Sequence, residues 1–308
     1  MTAAQNKWTG AAHLEEIAVQ LTEIDTRPKD VRLRGVEDIV AEAIEHLLMA
    51  MFPYHYGKAR GRFVETEKRT WELMRAYDAL NQALSLVCNC EGASDKSEDL
   101  IDSLPEILEV LKTDAQAGYE GDPAAMSIDE VIITYPSFRA IAIFRIAHRL
   151  YEMHVPMIPR VMTEIAHKEA GIDIHPGATI GKYFFIDHGT GVVIGETTTI
   201  GEHVKLYQQV TLGAKSFDLA EDGTPIKGVK RHPDIGNNVV IYSGATILGG
   251  DTKIGDDCVI GGNVWLTHSL PAGKTITNKS SGQQMWQGRR EVETGNITLE
   301  PGNSALFI

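Results

Sequence analysis

The first half of the chain carries apolar residues at the three- and four-residue spacing that is typical of amphipathic helices. This pattern predicts helices over residues 14–24, 36–48, 65–90, 104–111 and 137–151. Pro105 suits the first turn of the fourth helix, where a missing backbone N–H costs little. The stretch GYEGDP at 118–123 should break the chain between the fourth and fifth helices. We therefore predict a helical first half.

Around Gly171 the spacing of large aliphatic residues changes to six. The repeated positions are Ile174, Ile180, Ile186, Ile194, Ile200, Leu206, Leu212, Ile235, Ile241, Ile247, Ile254, Ile260 and Leu266. A spacing of six matches neither the helical period of 3.6 nor the strand period of two. It predicts a solenoid of very short strands, in which each inward aliphatic side chain stacks on one in the next coil. Ordinary short strands joined by glycine turns are the alternative, and the regular register favours the solenoid.

The repeat is interrupted where Ile186 and Ile194 are eight positions apart and where Leu212 and Ile235 are 23 apart. The longer interruption must leave the coil as a polar loop at 214–231. Insertions in solenoids tend to collect on a binding face. His188 and His232 lie at these two interruptions, so we expect the chemistry there.

Composition narrows the possible functions. Acidic residues outnumber basic ones 42 to 29, for a net charge of −13, which argues against general nucleic-acid binding. The apolar stretch at 47–52 is too short to span a bilayer, and no leader suggests export. The sparse cysteines, Cys88, Cys90 and Cys258, indicate reduced thiols rather than a zinc site. We expect a cytoplasmic protein that binds no nucleic acid, membrane or metal.

Several motifs resemble those of the hexapeptide-repeat acyltransferases, and within them those of the serine O-acetyltransferases. They are DPAA at 122–125, FRIAHRLY at 144–151, GIDIHPGATIGKYFFIDHGTGVVIGET at 171–197, QQVTLGA at 208–214 and KRHPDIG at 230–236. Two features depart from the family pattern. The loop before Arg231 is long, and Ala214 stands where a second glycine is common. A third departure is LPAGKTITNKS at 270–280, which leaves the lysines that contact coenzyme A unassigned.

The resemblance implies an α+β protein with a helical N-terminal domain at 1–165 and a left-handed parallel β-helix at 166–275, followed by a tail at 276–308. It implies transfer of the acetyl group of acetyl-CoA to L-serine, without a permanently bound cofactor. It also implies homotrimers that pair into hexamers, with sites between neighbouring subunits, and inhibition by L-cysteine. A terminal Ile308 is similar to the family's docking residue for O-acetylserine sulfhydrylase.

Acetyl transfer to a hydroxyl needs a base, and histidine is suited to this role near neutral pH. The resemblance makes His188 the base and Asp173 the carboxylate that orients it, with the substrate hydroxyl as nucleophile. A turn-forming role for Asp173 is the alternative. The backbone at Gly213 and Ala214 could stabilise the oxyanion, and Lys215 could meet the negative charge of coenzyme A.

Serine carries a carboxylate and an ammonium group, and each needs a partner of opposite charge. Arg231 can bind the carboxylate through two hydrogen bonds, and His232 adds a polar contact. Asp122 and Asp187 can bind the ammonium group. A solvated charge at Arg231 and a helix N-cap at Asp122, before Pro123, are the structural alternatives.

Three other functions compete with this interpretation. An O-acetyltransferase of the same fold could act on homoserine, a sugar or an antibiotic. A metal-dependent lyase of the carbonic anhydrase type would need three histidine ligands, and the histidines after residue 170 lack the H-x4-H spacing known for such sites. A structural β-helix would not need the intact DIHP, DHGTG and RHP motifs.

Overall fold

The computed structural model describes residues 11–24, 33–57, 65–87, 92–216, 219–220, 222–278, 285–287 and 290–292. Within these ranges, seven helices precede the first strand. They are α1 (Ala11–Ile24), α2 (Val36–Met51), α3 (Glu65–Val87), α4 (Ala93–Gly121), α5 (Ile128–Thr134), α6 (Pro136–Glu152) and α7 (Ile158–Ala170). None of the helices in this part of the chain has both the length and the apolar character needed to cross a membrane.

The apolar stripes of α2 and α6 are buried as the sequence predicts. Val40 and Leu47 of α2 and Phe144 of α6 are each at most 1% exposed. The stripe of α1 behaves differently, because Leu14 is 57% exposed and Ile24 75% exposed. Periodicity therefore identifies α1 as a helix without showing what its apolar face contacts.

The predicted extent of the fourth helix is wrong. α4 begins at Ala93, so Pro105 lies inside the helix rather than in its first turn, and the predicted break begins only after Gly121. The polar first turns of α4 carry no apolar period, which explains why the sequence pattern missed them. α5 and α7 were not predicted either, and the helices continue to Ala170, beyond the expected boundary at residue 165.

A parallel β-solenoid of about five turns follows the helices and is consistent with a left-handed β-helix. Its strands are β1 (Ile172–Ile174), β2 (Thr179–Ile180), β3 (Phe185–Ile186), β4 (Val192–Ile194), β5 (Thr199–Ile200), β6 (Lys205–Leu206), β7 (Thr211–Gly213), β8 (Asp234–Ile235), β9 (Val240–Ile241), β10 (Thr246–Leu248), β11 (Lys253–Ile254), β12 (Val259–Ile260), β13 (Trp265–Leu266) and β14 (Thr275–Ile276). Two further strands, β15 (Met285–Gln287) and β16 (Arg290–Val292), form an antiparallel pair.

The strands form three sheets along the solenoid. The first sheet has the order β1-β4-β7-β10-β13, the second β2-β5-β8-β11, and the third β3-β6-β9-β12-β14. The predicted stacking is confirmed: Ile174 pairs with Ile194, and Ile194 with Leu212. Every aliphatic position of the hexapeptide repeat is at most 8% exposed. The solenoid interior is therefore a column of stacked aliphatic side chains.

A buried ion pair joins the helices to the first coil. Arg145 of α6 donates to the Asp114 carboxylate of α4 at 2.6 and 2.9 Å, and also to the carbonyl oxygens of Ile180 and Gly181. Asp114 in turn accepts the backbone N–H of Phe184 at 2.9 Å. These bonds fix the segment that leads into β3 against the helices.

Removing one partner of this ion pair should destabilise the protein strongly. Arg145→Leu would leave the fully buried Asp114 carboxylate without a counter-ion, which typically costs about 3–5 kcal/mol. We expect the double variant Arg145→Leu/Asp114→Leu to be more stable than Arg145→Leu alone, because no unpaired charge remains. Urea unfolding of the three proteins measures this order. A double variant less stable than Arg145→Leu would contradict it.

Candidate active site

His188 lies at the corner between β3 and β4, where the hexapeptide spacing lengthens. Its backbone is left-handed, with φ of 58°, a conformation that histidine adopts more readily than most residues. The N–H of Gly191 donates to the carbonyl oxygen of Gly171 at 2.8 Å and holds the corner against the start of β1. The imidazole is 76% exposed. The corner therefore presents a histidine to solvent on a fixed backbone.

Two carboxylates lie close to this imidazole. Asp187 places Oδ1 3.9 Å from Nε2 of His188, and its Oδ2 is 2.9 Å from Nζ of Lys205. Asp122, which ends α4, accepts the Tyr135 hydroxyl at 2.5 Å. This hydrogen bond lowers the pKa of Asp122, and the backbone N–H of Ala124 and the positive charge of Lys205 lower it further. We call Asp122, Tyr135, Asp187, His188 and Lys205 the His188 corner; its carboxylates suit an ammonium group.

The N-cap alternative for Asp122 is wrong. Asp122 follows the last turn of α4, and its Oδ1 accepts the N–H of Ala124 at 2.8 Å within a turn. The next helix, α5, has Ser127 as its N-cap instead. The second carboxylate oxygen of Asp122 is therefore directed at Tyr135 and the solenoid rather than at a helix N-terminus.

Asp173 lies in the middle of β1, beside Val193 of β4. Its Oδ1 is 3.7 Å from Nη1 of Arg160 in α7. Among the described residues, Asp173 and His188 share no hydrogen bond or ion pair, so the predicted contact is not formed in this structure. The carboxylate nearest to His188 is that of Asp187. The turn-forming alternative for Asp173 does not hold, because the residue belongs to a strand.

Arg231 and His232 lie at a different corner, between the first and second sheets. Arg231 donates to the Glu196 carboxylate, which also accepts the Tyr151 hydroxyl at 3.0 Å. Burial alone would raise the pKa of Glu196, but these two hydrogen bonds outweigh it and the pKa is lowered. The Arg231 side chain is 22% exposed, so it is fixed by its contact with Glu196 rather than freely solvated.

The ring of His232 is neutral and accepts hydrogen bonds at Nδ1. Its Nδ1 faces both the N–H of Thr197 at 3.1 Å and the Thr197 hydroxyl at 2.9 Å. Because Nδ1 accepts, the ring proton lies on Nε2. Burial, reinforced by the positive charge of Arg231, lowers the pKa of His232 to about 4. Such a ring can donate to a carboxylate but is poorly suited to remove a proton at neutral pH.

These groups define two separate corners. We call Tyr151, Glu196, Thr197, Arg231 and His232 the Arg231 corner. It follows the C-terminal end of β4, whereas the His188 corner precedes the N-terminal end of the same strand. A strand rises roughly 3.3 Å per residue, so one amino-acid substrate cannot contact both corners of one chain. The expectation that Asp122, Asp187, Arg231 and His232 bind one substrate therefore requires corners from two neighbouring subunits, and it stays a prediction.

A polar cleft of about 360 Å³ extends the Arg231 corner towards the loop at 214–231. Lys215, Lys230, Arg231 and Asp251 contribute to its lining. Gly213 ends β7 nearby, and its carbonyl oxygen accepts the N–H of Gly249 at 3.1 Å. A side chain at Gly213 would lie only 2.8 Å from the end of the Leu248 side chain, so glycine leaves space beside this strand. The cleft thus has three cationic side chains beside a small-residue turn.

One group of three potential metal ligands occurs in the described part of the chain: Glu164, His167 and Asp173. The guanidinium group of Arg160 forms ion pairs with Glu164 and with Asp173. That cation already compensates the two carboxylates. Cys258 is a buried thiol that donates to the carbonyl oxygen of Pro271, and Cys88 and Cys90 lie outside the described residues.

Sequence analysis did not single out Tyr135, Glu196 or Lys205. Phe185 pairs with Lys205 between β3 and β6, one coil of the solenoid later, and Asp187 lies two residues after Phe185. The repeat length could therefore have placed Lys205 beside Asp187. Tyr135 carries no such signal, because it reaches Asp122 from the start of α6 through tertiary packing.

A hexapeptide solenoid that presents an exposed histidine beside two carboxylates defines the chain as a member of the hexapeptide-repeat acyltransferases. No family model matches the chain, but individual proteins do. It is 56% identical over 187 residues to a plasmid-encoded serine acetyltransferase of Synechococcus elongatus, across 61% of this chain and 58% of that protein. It is 45% identical over 170 residues to a serine acetyltransferase of Staphylococcus aureus, across 55% of this chain and 74% of that protein.

The fold comparison agrees with the sequence comparison. The crystal structure of Entamoeba histolytica serine acetyltransferase 1 in complex with L-cysteine matches 87% of this chain and 98% of its own, with a TM-score of 0.71 and 36% identity. The chain belongs to the serine acetyltransferase family, and it is an acyltransferase.

The depressed pKa of His232 should make the protein less stable in acid. Below about pH 6.5 the unfolded chain binds a proton at this histidine that the folded chain rejects until about pH 4. Stability is therefore lost as the pH falls through this window. We expect His232→Gln to reduce the loss of unfolding free energy between pH 7 and pH 5 by about 2 kcal/mol.

Urea unfolding at both pH values measures the effect, with His203→Gln as a control at an exposed corner position. An unchanged pH dependence in His232→Gln would contradict a neutral buried ring.

Proposed function

We propose that the chain transfers the acetyl group of acetyl-CoA to the hydroxyl of L-serine, giving O-acetylserine and free coenzyme A. The observation that carries this proposal is the His188 corner, where an exposed imidazole lies beside the Asp122 and Asp187 carboxylates. The carboxylates would bind the serine ammonium group and bring its hydroxyl to the imidazole. A sugar acceptor has no ammonium group to occupy them.

His188 serves as the general base. The serine oxygen attacks the thioester carbonyl carbon while its proton passes to a ring nitrogen of His188. The new C–O bond forms, the C–S bond breaks, and the proton passes on to the coenzyme A sulfur. The reaction needs a ternary complex and no acetylated enzyme, because the substrate hydroxyl is itself the nucleophile.

Asp173 as the orienting carboxylate remains a prediction from the family resemblance. Asp173 is on the strand that adjoins the His188 corner, and the exposed imidazole has room to rotate. Asp187 is the competing candidate on distance. The carboxylate that holds one ring nitrogen fixes the tautomer and stabilises the imidazolium ion.

The carboxylate of serine would be bound by the Arg231 corner of a neighbouring copy. Arg231 supplies a planar fork of donors, and neutral His232 adds its Nε2–H. The first sheet lies between the two corners, and its outer face exposes Val193 at 37% and Trp265 at 68%. Packing copies around this face would bring the His188 corner of one subunit to the Arg231 corner of the next. This supports a homotrimer, or a pair of trimers.

Acetyl-CoA would lie along the same interface as co-substrate. The turn at Gly213 and Ala214 offers backbone N–H groups to the oxyanion, and Lys215 and Lys230 give the adjoining cleft its positive charge. The Entamoeba relative was crystallised with L-cysteine, which differs from serine in one atom. We therefore expect cysteine to occupy the serine site and inhibit the enzyme.

Two further expectations rest on the family resemblance. A cytoplasmic location fits the sparse cysteines. Binding of O-acetylserine sulfhydrylase through Ile308 stays a prediction, because Ile308 lies outside the described part of the chain.

Replacing His188 tests the proposed function. His188→Ala should lose about 10²–10⁴-fold in turnover with L-serine, because no group remains to accept the hydroxyl proton. Acetyl-CoA binding should persist. His203→Ala is the matched control, since His203 also occupies a left-handed corner and should leave turnover within about twofold. Thiol release from acetyl-CoA is measured with L-serine, L-homoserine and a hexose side by side.

A His188→Ala protein that keeps more than about a tenth of its turnover would place the base elsewhere. Faster thiol release with homoserine or the hexose than with L-serine would mean that the acceptor is not L-serine. Asp173→Asn and Asp187→Asn, assayed in parallel, identify the orienting carboxylate as the one whose loss lowers kcat more.

A further inference from the structure

Lys205 is a largely buried cation between the two carboxylates of the His188 corner. Its side chain is only 18% exposed. The ammonium group lies 2.9 Å from Oδ2 of Asp187 and donates to the carbonyl oxygen of Gly121 at 2.7 Å. It also lies 4.4 Å from the centre of the Tyr207 ring. Gly121 directly precedes Asp122, so one side chain links the segments that carry both carboxylates.

The contacts keep Lys205 charged despite its burial. Burial on its own lowers the pKa of Lys205, but Tyr207 and the Asp187 carboxylate outweigh this effect and the pKa is raised. A lysine loses side-chain freedom and hydration when it is buried. Its three partners come from α4 and from two neighbouring coils of the solenoid. The position is therefore built around a positive charge.

That charge matters for a histidine that must act as a base. The titratable groups on the elements that pack around the His188 corner are Asp187, Asp122 at the end of α4, Tyr135 before α6, Asp173 on β1 and Lys205 on β6. Nearby carboxylates favour the protonated imidazole, which cannot accept a proton. The Tyr135 hydroxyl is neutral, because burial and the adjacent Asp122 raise its pKa. Arg160 pairs with Asp173, so Lys205 is the cation that offsets Asp187.

We propose that Lys205 is a positioning residue of the serine site, which ties Asp187 to the residue before Asp122 and supplies the positive charge that offsets the carboxylates beside the His188 imidazole. It leaves the corner with a net charge of about −1, which matches a single ammonium group. This role rests on the proposed function, because it concerns the base for serine acetylation.

The test is the pH dependence of kcat in neutral and charged variants. Lys205→Met and Lys205→Gln remove the charge, and the amide of Gln keeps a donor for the carbonyl oxygen of Gly121. Lys205→Arg keeps the charge. Lys253→Met is the matched control, because Lys253 is exposed on β11 of the second sheet and its loss changes the net charge equally.

In the neutral variants we expect the acid limb of the kcat profile to move to higher pH by about one unit, because the imidazole then faces uncompensated carboxylates. At pH values above the shifted limb, turnover should recover to within a few-fold of the wild type. Lys205→Arg and Lys253→Met should keep the wild-type limb. A purely structural role would lower kcat at every pH without moving the limb.

An unmoved limb in either folded neutral variant would overturn the role of Lys205 while leaving the proposed function intact. Failure of both neutral variants to fold, judged by thermal unfolding, would assign Lys205 to stability and also overturn it. A wild-type chain that releases no thiol with L-serine would overturn the proposed function and this role together.

Discussion

The buried ion pair between Arg145 and Asp114 is the contact on which the geometry of the His188 corner depends. Asp114 lies two helical turns before Asp122 on the same helix, and Arg145 holds the carbonyl oxygens that lead into β3. The pair therefore sets the distance between the end of α4 and the first coil. Gly121 allows the close approach, because a side chain there would lie 2.7 Å from the Phe185 ring. A carboxylate from the helices thus reaches a corner of the solenoid.

The two corners at the ends of strand β4 differ in the charged groups that they offer to a substrate. The His188 corner is acidic, with one lysine to offset it, and it suits an ammonium group and a hydroxyl. At the Arg231 corner and its cleft the cations are paired, Arg231 with Glu196 and Lys230 with Asp234, and their guanidinium and ammonium groups suit carboxylate and phosphate groups. An amino acid needs both kinds of partner within its own length. The separation of the corners within one chain is therefore the physical reason why we propose a site shared between copies.

Much of the fold could be predicted from the sequence, because the hexapeptide spacing is a direct consequence of stacking. Ile174, Ile194 and Leu212 are buried and in register as that spacing requires. His188 could be located because it interrupts the spacing. The extent of α4 could not be predicted, because its first turns are polar and an exposed Pro105 lies inside the helix against its local preference.

The arrangement of the site residues was harder to predict from the sequence than their identity. Lys205 contacts both Asp187 and the residue before Asp122, because α4 is docked on the first coil. Arg231 and His232 were assigned to the same substrate in a site between subunits. Their positions before β8 place them at another corner of their own chain, a conclusion available from the register of His232 relative to Ile235. The partners of Asp122 and Asp173, namely Tyr135 and Arg160, come from separate helices and have no sequence signal.

The central claim is that neighbouring copies each supply one corner to a site, and complementation between inactive variants tests it most directly. His188→Ala and Arg231→Ala are co-expressed, purified together and assayed at low serine concentration. If variants mix at random in a closed ring, about a quarter of the sites combine an intact His188 corner with an intact Arg231 corner. We predict that the mixture regains about that fraction of wild-type activity. A mixture no more active than the separate variants would contradict a shared site.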